Sequence, residues 1–312
     1  MIEKIPHSAE SPRCSVIIPA YNAADFVVQA VHSALSQRPE APQVIVVDDG
    51  SSDTTAALVE KIDGVTLIRQ ANAGCPAARL AGLKHATGAF FIFLDADDEL
   101  LPGAITAHLA AMDAAPQAAM VFGANHRIDA TGARIATYPQ KPFETADPHV
   151  VAFQVTPAPS QCMYRRSAFE AVGGYDPALR LCEDSDLNIR ITQAGSIICH
   201  GDMVLNYRMH GGQATKRPSK ICRAHLGVIR NHLGPDGTFP DATELARSLK
   251  KWKQYYGRNI PIEIIRTALR RDLPGSAAAL KTFTACLPHS AVGAVDNAPD
   301  LLRQRLKRRK SA

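Results

Sequence analysis

Four short apolar runs, CSVIIPA (14–20), QVIVV (43–47), VTLIR (65–69) and FFIFL (90–94), recur through the first third of the chain, and each ends in a polar loop. The loops are YN, DDGSSD, QANAG and DADDEL. Runs this apolar read as strands buried on both faces. Between them, Asp25–Ser36 carries Phe26, Ala30, Val31, Ala34 and Leu35 at helical spacing, Ser52 or Asp53 can cap a helix over Thr54–Ile62, and Pro76 opens a helix to Ala86. Strand and helix in alternation predict an α/β fold, a mostly parallel doubly wound sheet flanked by helices. Ligands of such sheets bind beyond the carboxyl ends of the strands, so the four loops are expected to share one crevice.

Further on the pattern loosens. Helices are expected over Pro102–Ala114, Ser167–Val172 and Glu183–Gln193, and strands at AAMVFGA and VLNYRMH, while 131–160 is proline-rich and reads as irregular. From about Lys216 the chain reads as helices with basic faces. The expected division is a tail over 1–13, a catalytic domain over 14–215 and a basic helical C-terminal extension over 216–312.

With 312 residues, 46% of them hydrophobic, the chain can build a large core. Its seven cysteines are scattered without a C-x-x-C, which suggests neither a zinc site nor a disulfide framework and favours a reducing setting. The N-terminus has no apolar signal region, and no window approaches the roughly 18 apolar residues of a membrane span. Charge is divided unevenly: residues 213–312 hold 20 Lys and Arg against 7 Asp and Glu, whereas 1–212 hold 15 against 23.

FFIFL running into Asp95, Asp97 and Asp98 demands a positive partner, because clustered carboxylates in a dry site repel one another. A hard divalent cation suits them, bound through oxygen and bridging to phosphate. A solvated acidic helix cap would use the same residues. DDGSSD is equally readable as turn chemistry or as a carboxylate placed for a nucleoside.

Taken together, PAYN, VVDDGSSD, NAGCPAARLAGLKHATGAFFIFLDADD, GGYD, CEDSDLNIRITQAG and YRMH resemble a family 2 glycosyltransferase of the GT-A fold, the nucleotide-diphospho-sugar transferase fold, over roughly Cys14–Thr215. The resemblance implies a nucleotide site of Pro19, Tyr21, Asp49, Asn72, Gly74, Arg79 and Asp95. Leu80 stands where relatives carry an asparagine. It implies a Mn²⁺ or Mg²⁺ ion on Asp97, with Asp98 in reserve and His210 as a further ligand, and Arg208 as an alternative contact to the pyrophosphate. It assigns the catalytic base to Asp184, with Glu183 orienting the acceptor or replacing it, and Asp186 in the same helical start. Gly173 and Gly174 are expected to let backbone approach the donor sugar.

The chemistry needs these types. Expelling a nucleoside diphosphate builds negative charge that a cation stabilises, and the acceptor hydroxyl must lose a proton to a base. The expected function is metal-dependent, inverting transfer from a UDP-sugar to a glycan or lipid-linked acceptor in surface polysaccharide synthesis; the alternative is a catalytically silent sugar-nucleotide binding scaffold. Trp252, Tyr255 and Tyr256 among Lys250, Lys251, Lys253 and Arg258, with the LLRQRLKRRKSA tail, suggest peripheral contact with the inner face of a membrane by an otherwise cytoplasmic protein. No nucleic acid partner is expected. A nucleotidyltransferase or a Rossmann dehydrogenase would want a glycine-rich phosphate loop after the first strand, which PAYNAADF lacks.

Overall fold

Cys14–Ala20 (β1) is buried at all seven positions without alternation, as a strand covered by helices on both faces must be. The computed structural model describes residues 12–211, 217–269 and 271–290. β1 pairs in parallel with Gln43–Asp48 (β2) on one side and Phe90–Phe93 (β4) on the other, and Val65–Arg69 (β3) extends the sheet beyond β2. The helices Val27–Leu35 (α1), Thr55–Val59 (α2) and Cys75–Leu83 (α3) connect these strands. α1 buries Ala30, Val31 and Ala34 of the stripe expected from its spacing, but Val27 takes the inward place in the first turn, and Phe26 and Leu35 are only half-buried. On α3 a Cβ at Gly82 would stand 2.4 Å from Ile17 Cγ2, so glycine sets how closely this helix lies on the sheet.

The sheet order is β3-β2-β1-β4, then Cys162–Arg165 (β9), Ala118–Asp129 (β6), Ser196–Met209 (β10) and Glu99–Leu100 (β5). β9 runs antiparallel to both β4 and β6, whereas β6 and β10 are parallel. Because β2 and β4 flank β1 on opposite sides, the chain changes direction across the sheet there, the position at which ligands of doubly wound sheets bind. Ala104–Ala114 (α4), Arg166–Ala171 (α6) and Glu183–Arg190 (α7) complete this part of the chain.

The stretch read as irregular holds two strands and a helix, Arg134–Tyr138 (β7), Phe143–Thr145 (β8) and Pro148–Gln154 (α5), and ends in a 3-10 turn at Pro159–Gln161. β7 is too short and exposed to show a period, and it forms because β6 offers an edge. β9 has four residues, and its burial comes from Ile92 and Val121 on either side of Met163. β10 is longer than the strand read at 204–210, its first half hidden by register shifts between Cys199 and Leu205.

The described residues fall into two compact units, one of 12–147 and 156–210, the other of 148–155 and the residues from 211 onward. The second unit is helical: α5, Pro218–Leu233 (α8), Ala242–Gly257 (α9), Ile260–Leu269 (α10) and Leu273–Ser290 (α11). Trp252, read from the sequence as part of a membrane-facing aromatic mixture, is instead core here: it is buried, its indole N–H donates to Ala152 O at 2.8 Å, and its ring lies 4.4 Å from that of His225. Tyr256 is held by His225 Nδ1 at 2.9 Å, and only Tyr255 of the trio is exposed. Lysine spacing alone does not tell which face of α9 turns inward. The LLRQRLKRRKSA tail lies outside the described residues. Among the described residues no helix is long and apolar enough to cross a membrane.

Candidate active site

The loop after β1 hangs on the loop after β2. Asn22 adopts a left-handed backbone (φ 48°), and its side-chain oxygen accepts from Ser52 N at 2.8 Å, while its own N–H donates to Ser51 Oγ at 2.9 Å. Ala23 N donates to Thr55 Oγ1 at 2.8 Å. Pro19 is consequently fixed and buried within β1, and Tyr21 stands out at 54% exposure.

Asp49 is buried and accepts from Gln70 Nε2 (2.7 Å), Ala73 N (2.8 Å) and Gly74 N (2.8 Å). It therefore orders the loop after β3, and only Oδ2 keeps acceptor capacity for another group. Gly50, at φ +74°, packs so closely on that loop that a Cβ would meet Asn72 N at 2.9 Å. Asn72 is exposed, and nothing lies within 4 Å of the Cβ position at Gly74, so both face open space at the rim.

Arg79, from α3, is the buried link. Its Nη2 donates to Asp95 Oδ1 at 2.7 Å and its Nη1 to Glu183 Oε1 at 2.9 Å, with the guanidinium 5.8 Å from the Phe93 ring centroid and 5.7 Å from that of Tyr175. One cation thus joins the end of β4 to the start of α7. Ser160 Oγ accepts from Asp95 N at 3.0 Å and fixes the other side of the same turn.

Oxygens of Asp95, Asp97 and Asp98 lie within 4.8 Å of one another. Burial, then Asp95, pushes the Asp97 carboxyl above its ordinary range, although His210 Nε2 at 2.8 Å from Oδ2 works the other way. Burial, then Asp97 and Asp95, raises Asp98 well above the usual range, its Oδ1 accepting from Arg208 N at 2.9 Å. Asp97 and Asp98, raised by burial and by the neighbouring carboxylates, form with Asp95 an all-oxygen donor set, which fits a hard divalent cation. His210 stands beside this cluster through its contact with Asp97, its ring braced 4.7 Å from Phe26.

Arg208, the alternative pyrophosphate contact, is not presented at the surface. It is buried, donates through Nε to Asp97 O at 2.9 Å and through Nη2 to Glu99 Oε1, and so welds β10 beneath the acidic turn. A buried arginine and a presented one look alike in sequence.

At the start of α7 the three acids separate by role. Asp186 is buried and taken by Arg190 (2.8 and 2.6 Å), which also donates to Val172 O and Gly174 O and thereby braces the double-glycine turn. Gly173 and Gly174 have φ of +78° and +67°; the first opens on empty space, the second packs on Phe169. Glu183 is held by Arg79. Asp184 accepts only from Ser185 N (2.8 Å) among the bonds formed here, and burial followed by the charge of Glu183 pushes it up to about 6. A carboxylate of that pKa is suited to taking a proton near neutral pH.

The structure thus brings Arg79, Asp95 and Glu183 into direct contact, and Asp97 with His210, while Asp49 serves an adjoining loop. Sequence reasoning missed Ser160, Arg190 and Ser51, and read Ser52 as a helix cap where it braces the Asn22 loop. Ser160 sits in a proline-rich stretch with no period, whereas the i, i+4 spacing of Asp186 and Arg190 was readable.

The profile of the family described as glycosyl transferase family 2 matches residues 15–173, just over half of the chain. The chain is 26% identical over 213 residues to an uncharacterized glycosyltransferase, RP339, of Rickettsia prowazekii, covering 66% of each. It is 25% identical over 239 residues to the hyaluronan synthase of Pasteurella multocida, covering 74% of this chain but only 24% of that protein. Among solved structures, S. aureus TarS residues 1–349 in complex with UDP superposes with a TM-score of 0.59 at 18% identity, over 88% of this chain and 90% of that one; the same protein is also known in complex with UDP-GlcNAc. The fold is the GT-A-like α/β fold of that enzyme. The chain belongs to glycosyl transferase family 2.

Proposed function

We propose that this chain transfers a sugar from a nucleotide-diphosphate donor, a UDP-sugar, to a hydroxyl of a glycan or lipid-linked acceptor, with inversion. The observation that carries this reading is the Arg79 bridge, which sets the donor-side carboxylate Asp95 and the acceptor-side Glu183 on one buried guanidinium, next to Asp184. Tyr21, Asn72 and Gly74 line the rim where a nucleotide would lie, and Asp49 offers Oδ2 to its base. Asp97 and His210 would hold Mn²⁺ or Mg²⁺, which when bound supplies positive charge to the departing diphosphate.

In the reaction, Asp184 takes the proton of the acceptor hydroxyl as that oxygen bonds the anomeric carbon. The bond from carbon to the donor's phosphate oxygen breaks, and its electron pair leaves with the nucleoside diphosphate. A single displacement by one base inverts the anomeric centre. The names of the polysaccharide synthases among its relatives support a role in surface glycan synthesis, and its scattered thiols agree with a cytoplasmic setting. We assign this work to residues 14–215, with 216–312 accessory.

Calorimetric titration of UDP, GDP, dTDP and ADP with Mn²⁺ and then with EDTA tests the donor assignment. Metal-dependent binding of UDP alone is the expected result; binding of none would remove it. Release of UDP from UDP-sugars in the presence of acceptor glycans then separates an enzyme from a silent scaffold.

A further inference from the structure

We propose that the outward face of α10 and α11 is a docking surface for an anionic lipid membrane. α10 turns Ile260, Glu263 and Thr267 inward, and α11 turns Ala279, Thr282 and Cys286 inward; Thr267 Oγ1 and Ser276 Oγ, 2.8 Å apart, tie the two helices together. Their other sides are not polar. Ile265 and Leu269, one helical turn apart, are 59% and 71% exposed, and Leu273 and Leu280, two turns apart, are 73% and 51% exposed.

All the exposed leucines among the described residues are on this pair of helices. Exposed aliphatics scattered singly need no explanation, but a row of them along two joined helices marks a surface that something covers. Between Leu273 and Leu280 lies Ala277, also exposed, so the outward stripe of α11 carries no charge until Lys281.

Charge identifies the occupant. Arg266, Arg271 and Lys281 accompany the stripe; of the two acids of this stretch, Glu263 is buried and accepts from Ser219 N at 2.7 Å, and Asp272 accepts from Gly275 N at 2.9 Å in the first turn of α11, which leaves a net positive charge. The sequence continues past α11 with the same sign, six Lys and Arg against two Asp over 291–312. A second copy pressed onto this face would bring like charges together. Anionic headgroups complement the basic residues, while the acyl boundary takes the leucines, as for helices that lie in the interface. Trp252, which is buried, and Tyr256, which is half-buried against His225, are no part of this surface.

The test is co-sedimentation of the full chain with phosphatidylcholine vesicles and with vesicles also containing phosphatidylglycerol. The wild type is expected to bind the second kind, less so as salt is raised. Leu269→Asp/Leu273→Asp/Leu280→Asp should lower that binding by about tenfold or more, with the thermal melting midpoint unchanged. Arg271→Glu/Lys281→Glu, which leaves the apolar stripe intact, should also lower it and keeps the test open should the triple variant fail to fold. The proposal is overturned by a wild type that does not bind anionic vesicles, by variants of both kinds that bind as the wild type does, or by a dimer in sedimentation velocity that the triple variant abolishes. These readings are independent of UDP binding, so they stand or fall apart from the proposed enzymatic function.

Discussion

Asp97 Oδ2 and His210 Nε2 stand 2.8 Å apart across 113 residues of sequence, one in the turn after β4 and the other just beyond β10. A carboxylate and an imidazole so placed can share a cation or, without one, a proton. Asp97→Ala should weaken Mn²⁺-dependent UDP binding by on the order of 10–100-fold, and His210→Ala by less. Calorimetry in Mn²⁺ against EDTA checks this; an Asp97→Ala variant with unchanged metal dependence would take Asp97 out of the metal site.

Asp184→Asn should retain donor affinity and lose turnover by roughly 10²–10⁴-fold, the usual contribution of a positioned base. UDP release assays alongside UDP titration separate the two effects. Full activity would move the base to Glu183.

The pH profile follows from the same residue. Because burial and Glu183 raise Asp184 to about 6, its proton-accepting form fills as pH rises through that value and empties below it. kcat/KM should therefore fall about tenfold per unit on the acid side and level off above, a limb that the residual activity of Asp184→Asn should lack. A flat profile between pH 5 and pH 7 would contradict the assignment.

Arg79→Ala removes the partner of two carboxylates at once. Asp95 and Glu183 keep some solvent, with side chains 31% and 13% exposed, so the cost is set below that of a fully buried pair, at about 2–3 kcal/mol in urea unfolding. Arg79→Lys should recover little, since an ammonium cannot reproduce the forked geometry. Stability equal to wild type in both would show that the bridge contributes nothing.

Gly50→Ala forces a Cβ against Asn72 N in a left-handed turn. A loss of about 1–3 kcal/mol is expected, with weaker UDP binding as the 70–74 loop is displaced. An unaffected affinity would separate that loop from the nucleotide.

Much of the site was legible because short-range rules govern it. Apolar runs ending in polar loops marked the strand ends, and DADDEL and CEDSDLNIR stood out because acids seldom follow buried segments without a partner. Ser160 and Arg208 were not legible in their roles. A serine that holds a backbone N–H and an arginine that lies beneath a loop carry no local signature, and only the chain packed around them gives them work.

The alternating pattern by itself determined the α/β class, the four buried strands of the first third and the carboxylate types at the strand ends, because burial on both faces and loop chemistry are written residue by residue. Tertiary structure alone decided that β9 enters the sheet reversed, that Asp49 serves a loop, that Trp252 faces a core, and that Arg79 spans from Asp95 to Glu183. Each of these depends on contacts between distant segments, whose energies exist only once the chain has closed on itself.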